Sequence, residues 1–384
     1  MAKKKKKKSA KKKILLFVFE LLFLAILLVV LYFYQMIFGA MKHDAKLTDT
    51  EAGINKDLDT EELEGHTNIA LFGLDNRSNG DYESGNADVM MVASIDNATG
   101  DVRLVSLYRD TFLNVGDAQY RKANYAYQHG GVTAAIAMLN TNLDLDITDY
   151  VCVDWNAVVE TIDALGGVDI EISDGERQQI NKYLHDVTET TGVSSSYVYD
   201  TGVVHLDGAQ ATTYARIRKL AGDDYKRSSR QRIVLQAMLT KAKKADIATL
   251  TKICNSVFDD ITTTLTNTEI IGYLSKVATY NVVETTGFPF ELTTETLSVT
   301  GSTVVPISLE NNVLELHQFL FQGENYEVSD TVKNISNDII YSTGVTADKE
   351  SIDTSSYNNT AGKTGADQES QDTTSTTTNS TSTQ

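Results

Sequence analysis

Residues 214–232 read YARIRKLAGDDYKRSSRQR and hold seven Lys or Arg against two Asp, in a chain of formal net charge −18. Half of the ten arginines fall between Arg216 and Arg232. Arginine presents a flat, permanently charged fork that matches phosphate or carboxylate oxygens in pairs. Massed in an acidic chain, these residues fit one of two readings, an anion site or a solvated basic helix face.

Three other places bring charge to the end of a short apolar run. Residues 68–73 form a buried-strand pattern that runs into Asp75 and Arg77. Residues 89–95 and 102–107 are β-rich and are joined by Asp96-Asn97-Ala98-Thr99-Gly100-Asp101, a hairpin connection. Asp88 introduces the first of these strands, and Arg109 with Asp110 follows the second. Open α/β sheets place ligand groups at such strand ends. Asp75 and Asp88 suit a hard divalent cation, or else form caps and salt bridges. Asp110 and Asp224 are candidate general bases or arginine holders. His129, beside Gly130-Gly131, is a loop histidine or an acid–base group. Neither a Cys/His zinc cluster nor a G-x-S-x-G elbow is present.

The elements that must carry these groups follow in order. Helices are expected at 131–143, at 157–165 with Asn156 as its cap, and at 208–215. Strands are expected at 150–155 and 168–172, and residues 177–202 read as an irregular surface excursion. Should residues 215–219 be extended, Arg216 and Arg218 share one face. Ser228 or Ser229 then caps the next helix. Helices at 247–261 and 268–279, a strand at 282–290 and a closing helix at 311–321 complete the pattern. Strands alternating with helices of about ten residues describe an α/β domain, a mixed central sheet between helical layers.

Composition sets the compartment. Residues 1–13 hold nine lysines, and the remainder has 25 basic against 52 acidic residues. So acidic a body excludes nucleic acid as main partner. Residues 14–40 are apolar apart from Glu20 and Gln35, long enough for a membrane helix. A cleavable leader has a shorter apolar core, although Phe38-Gly39-Ala40 resembles a cleavage site. The lysines hold the N-terminus in the cytoplasm and place the rest outside. Residues 41–64 read as a polar stalk. After Ile352 the chain lacks Leu, Ile, Val, Phe and Met, so 345–384 reads as a disordered Thr/Ser-rich tail. Cys152 is expected as a buried thiol, with a bridge to Cys254 left open.

Taken together, the motifs resemble the LytR–CpsA–Psr family of membrane-anchored cell-wall glycopolymer phosphotransferases. The likeness runs from Asn68 through Gly73-Leu74-Asp75-Asn76-Arg77, Asp88, Ser106-Leu107-Tyr108-Arg109-Asp110-Thr111, Lys122-Ala123-Asn124 and Leu165-Gly166-Gly167-Val168. It is longest from Leu206-Asp207-Gly208 through Tyr214-Ala215-Arg216-Ile217-Arg218 to Asp224, Arg227, Arg230 and Gln231. Two departures stand out: Asn86-Ala87-Asp88-Val89 where the family has Arg-Ser-Asp-Thr, and Tyr108 where it mostly has proline.

The resemblance implies a catalytic domain over 65–344 that moves a phosphorylated glycopolymer from a polyprenyl-pyrophosphate carrier to peptidoglycan N-acetylmuramic acid. The lipid is expected in an apolar tunnel between sheet and helices. Mg²⁺ is expected at Asp75 and Asp88. Arg77, Arg109, Arg216, Arg218, Arg227 and Arg230 are expected on the pyrophosphate, with Lys219, Lys226 and Arg232 left on the surface. Arg109, Asp110 and Asp224 are the expected catalytic groups. An anchored, non-catalytic wall-binding or regulatory protein that senses polyanions is the alternative.

Overall fold

The second strand shows how the fold is built. In β2 (His66–Asp75), Ala70, Phe72 and Leu74 enter the main hydrophobic core, while Leu71 and Gly73 face a cavity on the opposite side. A strand buried on both faces reads as a continuous apolar run, as this one does. The computed structural model describes residues 42–358, except 62, 76–84, 219, 221–222, 247–248, 251–252, 254–256, 258–260 and 324–325. The expected membrane span at 14–40, Arg77, Lys219, Cys254 and the tail beyond 358 lie outside the described residues, and most of the expected helix at 247–261 does too. Among the described residues, no helix is long and apolar enough to cross a membrane.

The strands that join β2 are β1 (Lys42–His43), β3 (Asn86–Asp96), β4 (Asp101–Leu107), β7 (Asp149–Val153), β10 (Ile261–Thr263) and β11 (Asn281–Phe288). Short pairs are made by β5 (Phe112–Asn114) with β6 (Tyr120–Lys122), β8 (Val168–Ile172) with β9 (Gly202–Leu206), and β12 (Leu292–Leu297) with β13 (Gly301–Pro306). The main sheet runs β1-β10-β7-β2-β3-β4-β11. It is mixed: β3 is antiparallel to both β2 and β4, whereas β2 with β7 and β4 with β11 are parallel. The carboxyl ends of β2, β4, β7 and β11 therefore meet along one edge.

Helices cover both faces. On one side α1 (Asn124–Leu143), α7 (Leu309–Phe321) and α8 (Asp330–Thr343) close the main core over Phe72, Met90, Tyr150 and Phe288. On the other lie α2 (Trp155–Ala164), α3 (Asp174–Thr191), α4 (Gly208–Ala215) and α5 (Asp223–Ala242), and α6 (Asn267–Ser275) follows β10. The first turn of α4 presses against α2. A Cβ on Gly208 would stand 2.2 Å from the Val159 carbonyl oxygen, so glycine is required there.

Several expectations change. Residues 174–191 are helical, opened by a capping box of Ser173 and Glu176, because Ile180, Leu184 and Val187 form a buried stripe among the polar residues. Asp154, not Asn156, caps α2 by accepting the Ala157 N–H. The helix expected at 131–143 starts at Asn124 and bends at Gly131. Ser228 and Ser229 lie inside α5, which begins at Asp223. The helix at 309–321 is followed by α8 rather than closing the fold.

Residues 42–64 do not stand off as a stalk. Ala52 and Leu63 are buried in the main core, and Leu47, Ile54 and Leu58 pack against it. Sparse apolar residues suffice when each finds a socket and the backbone is bonded. Asn140 Nδ2 donates to the Ala52 carbonyl at 2.7 Å, and Asn55 Nδ2 to Asp144 at 2.6 Å. Nor is the chain loose immediately after 344. Val345 is buried, Ile352 N–H donates to the Leu292 carbonyl at 2.8 Å, and Thr354 and Tyr357 are buried. Cys152 is a free, buried thiol.

Candidate active site

Every predicted site residue that is described comes from the shared sheet edge, from the two helices above it or, for Arg218, from the loop that joins those helices. Asp75 ends β2. Asp88 reaches the site through a bulge: Gly73 pairs with Val89 and Leu74 with Ala87, leaving Asp88 as the extra residue. Bulges re-aim a side chain in this way. Arg109 and Asp110 follow β4, Arg216 caps the end of α4, and Asp224 and Arg227 lie in the first turns of α5.

The groups form a connected ionic cluster. Arg109 Nη1 donates to Asp88 Oδ1 at 2.6 Å, and Arg218 donates to the other Asp88 oxygen. Arg216 lies 3.7 Å from Asp75 with its guanidinium stacked on Trp155, the ring centroid 3.1 Å away. Such stacking fixes the fork while leaving its N–H groups available. Arg227 Nη2 bonds Asp224 Oδ1 at 2.9 Å, and Lys122 Nζ holds Asp110 Oδ1 at 3.0 Å.

Electrostatics divides these groups. Burial opposes charge on Asp88, but Arg218, Arg109 and Arg227 outweigh it and hold its carboxyl below the usual range. Burial pushes Arg216 and Arg227 down to about 10, which measures how poorly solvated these cations are. Asp224 moves the other way. Burial and a hydrogen bond with the Asp110 carboxyl raise its pKa despite Arg227 and Arg109. A carboxyl raised in this way is the group of the cluster placed to take a proton. Arg227 Nε and Nη1 are buried without a hydrogen-bond partner among the described residues, while Arg109 Nε lies 3.7 Å from Asp110 Oδ2. At the edge of a cavity, unmatched guanidinium donors are places where an anion's oxygens can bind.

Behind the cluster lies an apolar cavity of about 250 Å³, walled by Leu71, Val89 and Met91 of the sheet and by Val158, Val234 and Met238 of α2 and α5. It adjoins a smaller space of about 80 Å³ lined by Asp88, Trp155, Arg216, Arg218 and Arg227, and the two share Gly73, Val89 and Gln231. A tail of hydrocarbon and a head of phosphate fit these two chambers in that order.

Three residues of the basic run lie elsewhere than expected. Arg230 is not in the cluster; its Nε donates to Glu176 at 2.8 Å in a buried pair with α3. Arg232 is fully buried rather than on the surface, donates to the Tyr357 carbonyl, and lies beside Tyr108. Lys226 is buried as well. Sequence reading missed Trp155, whose position just after a strand end was a usable signal. It also missed the Asp110–Asp224 pair, which joins residues more than a hundred positions apart and leaves no local signal. Tyr108, at the proline position, packs edge-on against Tyr225 with centroids 4.8 Å apart, and burial pushes its hydroxyl up to about 12. Its ring needs the space that Gly287 leaves, since a Cβ there would lie 2.0 Å from the Tyr108 oxygen.

As candidate cation ligands, Asp75 and Asp88 offer hard oxygen donors across the β2–β3 bulge. Among the described residues no group of three or more His, Cys, Asp or Glu could hold a metal. A divalent ion here fits only with phosphate oxygens and water completing its shell.

Fold and site define a mixed α/β protein with an apolar chamber behind an arginine-rich anion mouth. The chain belongs to the LytR_cpsA_psr family, whose match covers residues 29–315. The polyisoprenyl-teichoic acid–peptidoglycan teichoic acid transferase TagU of Enterococcus faecalis is 29% identical over 200 residues, 51% of this chain and 61% of that protein. TagV of Bacillus subtilis, a transferase of the same description, is 27% identical over 225 residues, 57% of this chain and 53% of that protein. The chain thus spans less than two thirds of the curated relatives it matches. In fold it is similar to TagT bound to LI-WTA (21% identity, TM-score 0.56, 72% of this chain and 98% of that one). It is also similar to YwtF (TagT) with bound octaprenyl pyrophosphate lipid (18% identity, TM-score 0.50, 79% and 100%).

Proposed function

We propose that this chain is a membrane-anchored phosphotransferase that moves a phosphorylated glycopolymer from a polyprenyl-pyrophosphate carrier to peptidoglycan. The observation that carries the reading is the apolar cavity opening onto the Arg216–Arg218–Arg227 mouth. Family membership and the transferase names of its relatives support it, as does the octaprenyl pyrophosphate bound by a protein of the same fold. The segment 14–40 anchors the chain with its N-terminus in the cytoplasm and residues 42 onward outside.

The prenyl chain occupies the apolar cavity, and Arg109, Arg216, Arg218 and Arg227 bind pyrophosphate oxygens. An acceptor sugar hydroxyl attacks the polymer-bearing phosphorus. The bond from that phosphorus to the bridging oxygen breaks, and prenyl monophosphate leaves with the electron pair. The hydroxyl proton passes to the Asp110–Asp224 pair. The protein's work is positioning and charge neutralisation, as phosphoryl transfer requires. Mg²⁺, when held by Asp75 and Asp88 with phosphate oxygens, adds charge neutralisation at the pyrophosphate.

Full-length protein in detergent micelles, a lipid-pyrophosphoryl oligosaccharide and peptidoglycan test the proposal. Transfer with release of prenyl monophosphate is expected, stimulated by Mg²⁺ and abolished in Asp88→Ala. Absence of both transfer and pyrophosphate cleavage, with and without Mg²⁺, overturns it.

A further inference from the structure

The Asp88–Arg109 ion pair is a wall with space on both sides. Toward α2 and α5 lie the phosphate mouth and the apolar cavity. On the other side is a polar groove of about 380 Å³, lined by Asn86, Asp110, Arg121, Lys122, Tyr125 and Gln128. Its far rim is the tip of the β12–β13 hairpin at Val299 and Thr300, and β13 is tied to the site because Val304 N–H donates to the Asp110 carbonyl at 3.0 Å.

The chemistry of this groove differs from that of the mouth. Tyr125 is stacked on the exposed ring of His129, centroids 3.6 Å apart and planes 13° from parallel. His129 Nδ1 lies 3.1 Å from the Tyr125 carbonyl oxygen, which fixes the pair. Arg121 Nη1 donates to the Tyr120 carbonyl at 2.7 Å, and the guanidinium lies 6.0 Å from the Tyr125 ring. An aromatic platform, side-chain amides and two cations suit a sugar strand that bears acidic groups.

Direction follows from the transfer chemistry. Attacking and leaving oxygens lie in line across the transferred phosphorus. With the prenyl phosphate leaving toward the apolar cavity, the attacking hydroxyl enters from the opposite side, where Asp110 lines the groove. We propose that this groove is the acceptor subsite, and that it selects an anionic glycan strand. The Tyr125 ring, held by its stack on His129, seats the sugar, and Arg121 takes an acidic substituent of the strand. The assignment rests on the transferase reading.

Two measurements on the full-length protein in micelles test it. The first is transfer kinetics with donor and acceptor varied separately. Tyr125→Ala is expected to raise the acceptor KM about tenfold while the KM for the lipid donor stays constant, the scale of losing one hydrogen-bonded or stacked anchor. Arg121→Gln is expected to do so only for a glycan that carries lactyl carboxylates. The second is direct binding of two peptide-free probes, a β-1,4-linked N-acetylglucosamine tetramer and its lactyl-bearing counterpart. The lactyl-bearing probe is expected to bind more tightly, with Arg121→Gln removing the difference. A rise in donor KM with the acceptor KM unmoved assigns the groove to the donor and overturns the proposal, as do unchanged kinetics in both variants. Should wild-type protein transfer nothing yet bind the lactyl-bearing probe in an Arg121-dependent way, the transferase reading fails and the anionic-glycan site stands. Should Tyr125→Ala not fold, Arg121→Gln, at a partly exposed position, gives the decision by itself.

Discussion

Arg227 and Arg232 occupy the same helix five residues apart, and burial lowers both guanidiniums to about 10. Both also leave Nε and Nη1 without a hydrogen-bond partner among the described residues, so what separates them is their surroundings. Arg227 sits at the mouth of the apolar cavity, paired with Asp224. Arg232 is enclosed where the C-terminal segment crosses the helix, donating to a backbone carbonyl. Between them Arg230 locks α5 to α3 through Glu176. An α-helix turns about 100° per residue, so residues 227 and 232 diverge by about 140° around the axis. One dense run of arginines thus serves a site, an interhelix clamp and a terminal strap.

Arg230→Ala tests that division most severely. It strands the buried Glu176 carboxylate, and a loss of about 3–5 kcal/mol in denaturant unfolding is expected. Arg230→Met with Glu176→Leu is expected to recover most of that loss, since replacing a buried pair by apolar groups is often near neutral. Arg227→Ala reverses the pattern, with kcat falling about 10²–10³-fold, the scale of losing a preorganised charge donor, while unfolding stays near wild type. Equal stability losses in Arg227→Ala and Arg230→Ala would erase the distinction.

Stopping the chain after Glu350 removes the carbonyl that Arg232 uses and the Asn358 side chain that accepts the Gly287 N–H at 3.1 Å. A stability loss of about 1–3 kcal/mol is expected for donors left buried. Unchanged thermal melting would show that the strap is dispensable.

The smallest effects are shifts along the pH axis. Asp224 is raised, so the acid limb of kcat/KM is expected above the ordinary carboxylate range, and Asp224→Asn is expected to move or remove it. A limb unchanged in both Asp224→Asn and Asp110→Asn excludes the pair as base. Asp88 is lowered, so the stability it contributes is complete above the ordinary carboxylate pKa and is lost as pH falls through its depressed value. Asp88→Asn is expected to flatten that acid dependence of unfolding.

Much of the fold was legible in the chain. The apolar run at 68–73, the Asp96–Asp101 connection with its Asn and Gly, and the paired glycines after residue 165 point to β2, the β3–β4 hairpin and the turn into β8. These are local signals of period and turn chemistry. Helix α3 was missed because its apolar stripe is thin and its capping box, Ser173 to Glu176, lies before the polar run that dominates the composition. The stalk and tail were misread for a related reason. Composition averages over a segment, while docking needs only a few apolar side chains and bonded backbone groups, as at Ala52, Leu63 and Tyr357.

The sequence by itself determined the family, the alternation of strands and helices, and the chemical inventory of the site, because residue types, periods and turns are properties of neighbours along the chain. Tertiary structure alone decided which of five clustered arginines line the small chamber, that the Asp110 carboxyl comes up against Asp224, and that an apolar chamber opens behind them. Those outcomes depend on the rotation of α5 about its axis, the bulge at Asp88 and the convergence of four strand ends. Each is set by packing between elements distant in sequence, where a guanidinium becomes ligand or girder according to what closes over it.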